Sequence, residues 1–373
     1  MKEIGFMGSP PNAHSFDIST DENFVKSGRN LGNYAFWNAV DSHIDGSKLY
    51  FDNWEFRPEL ANERCSVFVI PCSNFIHPNR DLGPLASRLE KLNIPIVLLG
   101  LGVQELHGKT AFEVPKGTLR FIDFLNDRKS IVTVRGENSA SRIFDLGLRS
   151  LEVLGCPSNL TNKDPDLGRK IGFKLEELLK NRMRNCVFNF DFHRRSMFGL
   201  REDLARLFVG VEPVIICQNP ISHVRFGRGE VEKDSEYLYQ ADFWNKAKGI
   251  SDFESFVKSC FFSFFSANSW LEFLRRFDFS IGTRFHGNML SFQAGVPAVF
   301  IGHDSRTSEL ADYHLLPKID LSSFSGASSM ESVLRALEFS GEDYDKKRAT
   351  DAGKYRKIYL EHGLTYAPWL DKF

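Results

Sequence analysis

The chain has 373 residues, 42% of them hydrophobic, and a formal charge of -1. That length suggests about two domains, each large enough for its own core. The balanced charge, with no long basic run, excludes the electrostatic footprint of a nucleic-acid binder.

The cysteines, Cys65, Cys72, Cys156, Cys186, Cys217 and Cys260, are dispersed and form no CxxC pair. They read as small apolar thiols in a reducing compartment, not as a zinc site or a redox dithiol. The N-terminal run MKEIGFMGSPPN is too short in its apolar stretch for a signal peptide, and no run approaches the length needed to span a bilayer. A cytoplasmic location is the default expectation, with peripheral attachment at the inner face of a membrane left open.

The pattern predicts a strand over residues 3–7, then a polar segment leading into Ser27-Gly28-Arg29-Asn30-Leu31-Gly32-Asn33 and a helix over 34–43. A glycine-containing loop ahead of a helix can bring backbone N–H groups close to an anion or a sugar, and it serves equally well as a packing turn. Further strands are expected at 48–51, 67–71, 94–101 and 131–134, with helical patterns between several of them. That alternation argues for a doubly wound parallel sheet. Gln104 follows a glycine-rich strand end, as a hydroxyl binder or a solvated loop residue. Arg135 is delivered to a turn by the strand at 131–134, ahead of a helix over 137–147. It is either a ligand-facing cation or a salt-bridge partner that holds the turn.

Residues 161–168, TNKDPDLG, are polar, contain Pro and Gly and lack periodicity, so the domain boundary is placed there. Domains are expected over residues 1–165 and 166–340, with 341–373 a C-terminal helical segment crossing back onto the first. The second half restarts with a helix near 175–183 and a strand at 186–190, followed by the basic loop Asp191-Phe192-His193-Arg194-Arg195. That loop fits either phosphate binding or surface solvation. A strand at 214–217 ends in Gln218-Asn219, and a weaker pattern over 221–248 puts His223, Arg225 and Arg228 in a loop. Ser251 with Glu254 suggests a helix start, and the phenylalanines that follow are core or, in the sharper reading, a membrane-facing amphipathic helix.

Residues 277–305, FDFSIGTRFHGNMLSFQAGVPAVFIGHDS, form the most informative stretch. A strand over 277–281 gives way to a turn and a helix to 294; after Gly295-Val296-Pro297 comes an apolar run, 298–301, suited to a strand covered on both faces. Thr283, Arg284, His286 and Asn288 gather at the strand-to-helix junction. In open parallel sheets that is where ligands bind. A helix N-terminus favours phosphate or carboxylate, Arg284 adds a planar donor fork, and His286 can supply a proton near neutral pH. Taken singly, Arg284 could be a surface ion-pair residue and His286 a core histidine; together they point to an anion site. A short helix follows from Asp304-Ser305, then a strand at 315–321, a helix at 330–339 and a charged helix over 345–362.

The ordered run Arg284-Phe285-His286, Gly295-Val296-Pro297, Ala298-Val299-Phe300-Ile301 resembles the C-terminal signature of the polysaccharide pyruvyl transferase family. Asn30-Leu31-Gly32-Asn33 is similar to that family's element ahead of its first helix, with Asn33 where many members carry Asp. Val134-Arg135-Gly136 through Ser139 and Gly155-Cys156-Pro157-Ser158 are similar to two further runs. The resemblance implies two Rossmann-like α/β domains facing across a cleft in a glycosyltransferase-B-like arrangement, acceptor side first and donor side second.

It also implies a reaction: transfer of the enolpyruvyl unit of phosphoenolpyruvate to two hydroxyls of a sugar in a cell-surface polysaccharide or its precursor, giving a pyruvate ketal and phosphate. Arg284 and His286 are then the expected catalytic residues. Arg135, Asn30, Gly32, Asn33, Thr283, Asn288, Asp304 and Ser305 are the expected substrate-binding ones. Phosphoenolpyruvate is the donor substrate, the sugar acceptor is free or lipid-linked, and no metal or other cofactor is expected. Two alternatives stand beside this: a nucleotide-sugar glycosyltransferase of the same architecture, and a non-catalytic glycan-binding module.

Overall fold

The structure, a computed structural model, describes residues 2–11, 15–51, 53–104, 112–181, 185–190, 203, 211–325, 327 and 329–373. It divides into two compact units. The first comprises Met1–Pro11, Phe36–Pro165 and Lys346–Phe373, and the second comprises Asn12–Ala35 and Asp166–Asp345.

The first unit is built on strands β1 (Glu3–Met7), β2 (Lys48–Phe51), β3 (Cys65–Pro71), β4 (Ile96–Leu101), β5 (Ile131–Val134) and β6 (Glu152–Val153). They form one parallel sheet in the order β2-β1-β3-β4-β5-β6. Every residue of β4 is buried, and β3 exposes only Ser66. This explains why both strands read as continuous apolar runs: each is covered on both faces. The amphipathic helices Lys116–Asp127 and Glu137–Asp145 supply part of that cover through Phe121, Ile122, Leu125 and Ile143.

The second unit holds β7 (Asn185–Phe188), β8 (Glu212–Ile216), β9 (Phe261–Phe262), β10 (Phe279–Gly282), β11 (Ala298–Gly302) and β12 (Lys318–Asp320), also all parallel. Their order is β12-β11-β10-β7-β8-β9. Counted from β7, this is the 3-2-1-4-5-6 order of dinucleotide-binding sheets, so the strand order reverses between β7 and β10. The doubly wound reading of both halves is therefore correct, and the structure adds where the second sheet has its switch point.

Several elements differ from expectation. Residues 12–35 group with the second unit, not with the first. Their helix Thr20–Lys26 is capped by Ser19, and it is tied down by Thr20 Oγ1 donating to Glu230, by Arg225 paired with Asp21 at 2.9 Å, and by Leu31 N donating to Gln218 O at 3.1 Å. The sequence was read there only as a polar segment, and local pattern shows neither the helix nor the unit it packs in.

The boundary segment is ordered, because the buried Arg348 guanidinium donates to the carbonyls of Asn159, Asn162 and Asp164. Its last residues already belong to the helix Leu167–Lys180. The weak region 221–248 contains the helices Ile221–Phe226 and Ser235–Lys248, and His223 is not in a loop but buried against Glu236 at 2.9 Å. Asp252, not Ser251, caps the helix Phe253–Cys260, and Phe261 and Phe262 form β9. The phenylalanines here are core: Phe253 and Phe261 pack with Trp244 and Phe226. Among the described residues no helix is long and apolar enough to cross a membrane.

Candidate functional site

The site lies at the carboxyl end of β10, beside the end of β7, within the second unit. Asn189 N donates to Ile281 O at 2.9 Å and Arg284 N donates to Asn189 O at 2.9 Å, so the ladder continues past both strands. Gly282 is required by this approach: a Cβ there would lie 2.1 Å from Asn189 O, a backbone atom that cannot yield. Beneath the turn runs a closed polar network. Asn288 Nδ2 donates to Gly282 O at 2.7 Å, while its Oδ1 accepts from Ser280 Oγ at 3.1 Å and from Asn189 Nδ2 at 3.2 Å.

Arg284 is the N-cap residue of the helix Phe285–Gln293, and its side chain is half-buried. Phe285 anchors the helix start in the core against Phe300, with ring centroids 5.3 Å apart. His286 follows in the first turn, half-buried. The first intrahelical bond runs from Asn288 N to Arg284 O at 3.2 Å, which leaves the N–H groups of Phe285, His286 and Gly287 without intrahelical acceptors. Arg284, His286 and the positive end of the helix dipole therefore meet at one switch point, as an anion site requires.

The loop at residues 30–33 is brought to the same place. Asn30 Oδ1 accepts from Gly32 N at 3.0 Å and Asn33 Nδ2 donates to Ser27 O at 2.9 Å, so both side chains shape the turn itself. A Cβ on Gly32 would lie 3.2 Å from His286 Cβ. Expected on the opposite domain, this loop instead belongs to the same unit as His286. Thr283 is buried beside Arg284, and Asn288 is fully buried with its amide committed to the network, so Asn288 shapes the turn without facing a ligand.

At the end of β11 a second polar group forms. Asp304 caps the helix Ser305–Tyr313 by accepting from Thr307 N at 2.8 Å, and it receives Arg306 Nε at 2.8 Å. His303 Nε2 stands 3.6 Å from Asp304. Burial pushes the Asp304 carboxyl up, but Arg306, His303 and the Thr307 N–H outweigh it and hold the group below the usual carboxylate range. Burial lowers His303; Asp304 opposes that, and Arg306 and Arg284 add to it. Ser305 is exposed at the helix start.

Arg135 lies in the first unit and is almost fully buried. Its guanidinium donates to Gly100 O at 3.0 Å, Cys72 O at 3.1 Å and Asn74 Oδ1 at 3.2 Å, which clasps the ends of β3 and β4. The basic loop 191–195 lies outside the described residues. Among the described residues no cluster of His, Cys, Asp or Glu is arranged to hold a metal ion.

Sequence reasoning missed Asn189, Gln218 and His303 as members of the site. Each is the first or second residue after a strand of this sheet. A rule that collects polar residues just past every parallel strand would have found all three.

No curated protein sequence matches the chain. Solved structures with a similar course include Anabaena Alr3699/HepE in complex with UDP, at 12% identity over 94% of this chain and 100% of that one, with a TM-score of 0.42. Another is the α,α-trehalose 6-phosphate synthase of Burkholderia multivorans, at 12% identity over 100% and 95%, TM-score 0.47. A third is the UDP-GlcNAc 2-epimerase of Methanocaldococcus jannaschii, at 10% identity over 95% and 100%, TM-score 0.44. The polysaccharide pyruvyl transferase family model matches residues 13–305, a span that holds residues 30–33, Asn189, Gln218 and the helix start at Arg284 to His286. With that span covering well over half of its length, the chain belongs to the polysaccharide pyruvyl transferase family.

Proposed function

We propose that this protein transfers the enolpyruvyl unit of phosphoenolpyruvate to two hydroxyls of one sugar in a polysaccharide or its precursor. The observation that carries the reading is the pairing of Arg284, at the N-cap, with His286, in the first turn, at the β7/β10 switch point. Both donor anions, carboxylate and phosphate, suit a helix start with an arginine fork beside it.

In the reaction C3 of the enol takes a proton and C2 becomes electrophilic. The two sugar oxygens bond to C2 as the C2–O bond to phosphate breaks. Of the two hydroxyl protons, one balances the new methyl group and the other leaves on phosphate. Arg284 holds the anionic donor and draws off charge as phosphate departs. His286 moves the proton, as acid towards C3 or as base towards the attacking hydroxyl. Asp304 fixes the adjoining helix start and Arg306. The donor is itself a substrate, and the scheme calls for no cofactor. Its supply of phosphoenolpyruvate places the reaction in the cytoplasm, and a lipid-linked acceptor would bring it to the inner face of the membrane.

The test is to incubate the protein with phosphoenolpyruvate or UDP-hexoses and a panel of sugar acceptors. Acceptor-dependent phosphate release with a ketal on the sugar is the expected result. Nucleotide release would instead establish a glycosyltransferase, and release of neither a binding module.

A further inference from the structure

Gln218, the second residue past β8, is 4% exposed, and its carboxamide is wedged between two glycines. On one side, a Cβ at Gly32 would lie 2.7 Å from Gln218 Oε1; on the other, a Cβ at Gly287 would lie 2.6 Å from Gln218 Nε2. Its backbone carbonyl accepts from Leu31 N at 3.1 Å. One residue therefore holds the 30–33 loop by its main chain and spaces that loop from the helix start by its side chain. His286 stands between the two, next to Gly287 and with its Cβ 3.2 Å from the position a Gly32 Cβ would take.

We propose that Gln218 is a positioning residue for His286. Two observations favour this over plain packing. First, Gln218 Nε2 is buried with no hydrogen-bond partner among the described residues. A buried amide left unpaired costs about 1–3 kcal/mol, and an apolar side chain of similar volume would avoid that cost. Second, an atom of opposite polarity stands against the same glycine. Asn189 Oδ1, also buried and without a partner among the described residues, flanks the same glycine, 2.1 Å from its notional Cβ. The orientation of Asn189 is set by the network below, since Asn288 Oδ1 can only accept and so claims the Asn189 amino group. Both amide ends therefore stand against Gly287, and by contact they limit where the first turn of the helix can lie. Both glycines follow from this arrangement, because a methyl at either would displace the carboxamide.

The inference takes His286 as the proton-transfer residue of the preceding reading, and its test separates the two. Gln218→Met keeps the volume and removes the polar amide. It is expected to melt no lower than wild type, while kcat for phosphate release falls about 10- to 100-fold, as misplacement of a catalytic group does, and KM for phosphoenolpyruvate stays within about twofold. Gly32→Ala is expected to lower Tm, and adding Gln218→Ala to it is expected to cost less than the two single losses summed, since truncation makes room for the methyl. The imidazole resonances of His286 should move in Gln218→Met and those of His362, on the other unit, should not. Full kcat in Gln218→Met, strictly additive Tm losses, or an unmoved His286 signal would each overturn the proposal. If wild type releases no phosphate from phosphoenolpyruvate, the functional reading fails, while the stability coupling and the resonances still decide the placement of Gln218.

Discussion

Arg284 N donates to the carbonyl of Asn189 at 2.9 Å, so the residue proposed to hold the anion is fastened to the neighbouring strand, not to its own. The bond spans the switch point, and it makes the position of the arginine a property of the sheet order. Gly282 permits it, and the network of Asn288, Ser280 and Asn189 supports it.

His286→Ala is expected to abolish ketal formation and phosphate release with an unchanged circular dichroism spectrum. Arg284→Lys keeps the charge but loses the planar fork, so KM for phosphoenolpyruvate should rise about tenfold, corresponding to one charge-assisted bond. Steady-state kinetics with coupled phosphate detection reads both. Undiminished turnover in His286→Ala would sink the assignment.

Asn288→Ala should behave as a structural lesion. It leaves Gly282 O unpaired and deprives Asn189 Nδ2 and Ser280 Oγ of an acceptor, so stability in urea should drop by about 1–3 kcal/mol. KM should be unchanged where the protein remains folded. A raised KM with intact stability would instead put Asn288 against the substrate.

Gly282→Ala sets a methyl against a backbone carbonyl, and no side chain can move aside to accept it. Overpacking of this kind costs about 1–3 kcal/mol, and here it would also part Arg284 from Asn189. Lower stability together with a raised KM is the expected pair of effects; normal values of both would show that the turn can relax.

Acid should weaken the first unit through His43. Burial pushes this histidine down to about 3, with its bond to the Leu160 backbone acting the other way, and its Nδ1 lies 3.1 Å from Tyr359 Oη. The unfolded chain takes up the proton near pH 6.5 and the folded chain does not, so the stabilisation is complete above that pH and declines as pH falls towards 3. The slope for one such group is about 1.4 kcal/mol per pH unit. Urea unfolding between pH 6.5 and 4.5 should show it, and His43→Leu should flatten it. Equal slopes in both proteins would mean that His43 does not remain neutral.

The inner strands were legible because parallel strands covered on both faces write apolar runs: residues 3–7 and 131–134 coincide with β1 and β5, and the partly buried edge strand β2 coincides with 48–51. The short edge strands β6 and β9 were not, since two residues carry no period. The position of Arg284 and His286 at a helix start was legible because strand, turn and helix pattern follow one another there. Gln218 was visible as a strand end, but its partners lie 186 positions before it and 69 after it, at Gly32 and Gly287. Nothing in a local window ties such residues together. Asn33 and Asn288, polar residues expected to face a ligand, each also donate from the amide to a backbone carbonyl of the turns on which the candidate site is built, which local pattern does not show.

The membership of residues 12–35 in the second unit has a consequence for engineering. A single cut at the interdomain boundary does not yield two self-sufficient modules. A fragment beginning at Asp166 would carry Arg284, His286 and Gln218 but would lack Gly32 and the helix that meets Glu230 and Arg225. Exchange of second units between family members therefore has to carry this early segment along, as a two-piece graft, or the recipient will present the helix Phe285–Gln293 without the loop that borders it.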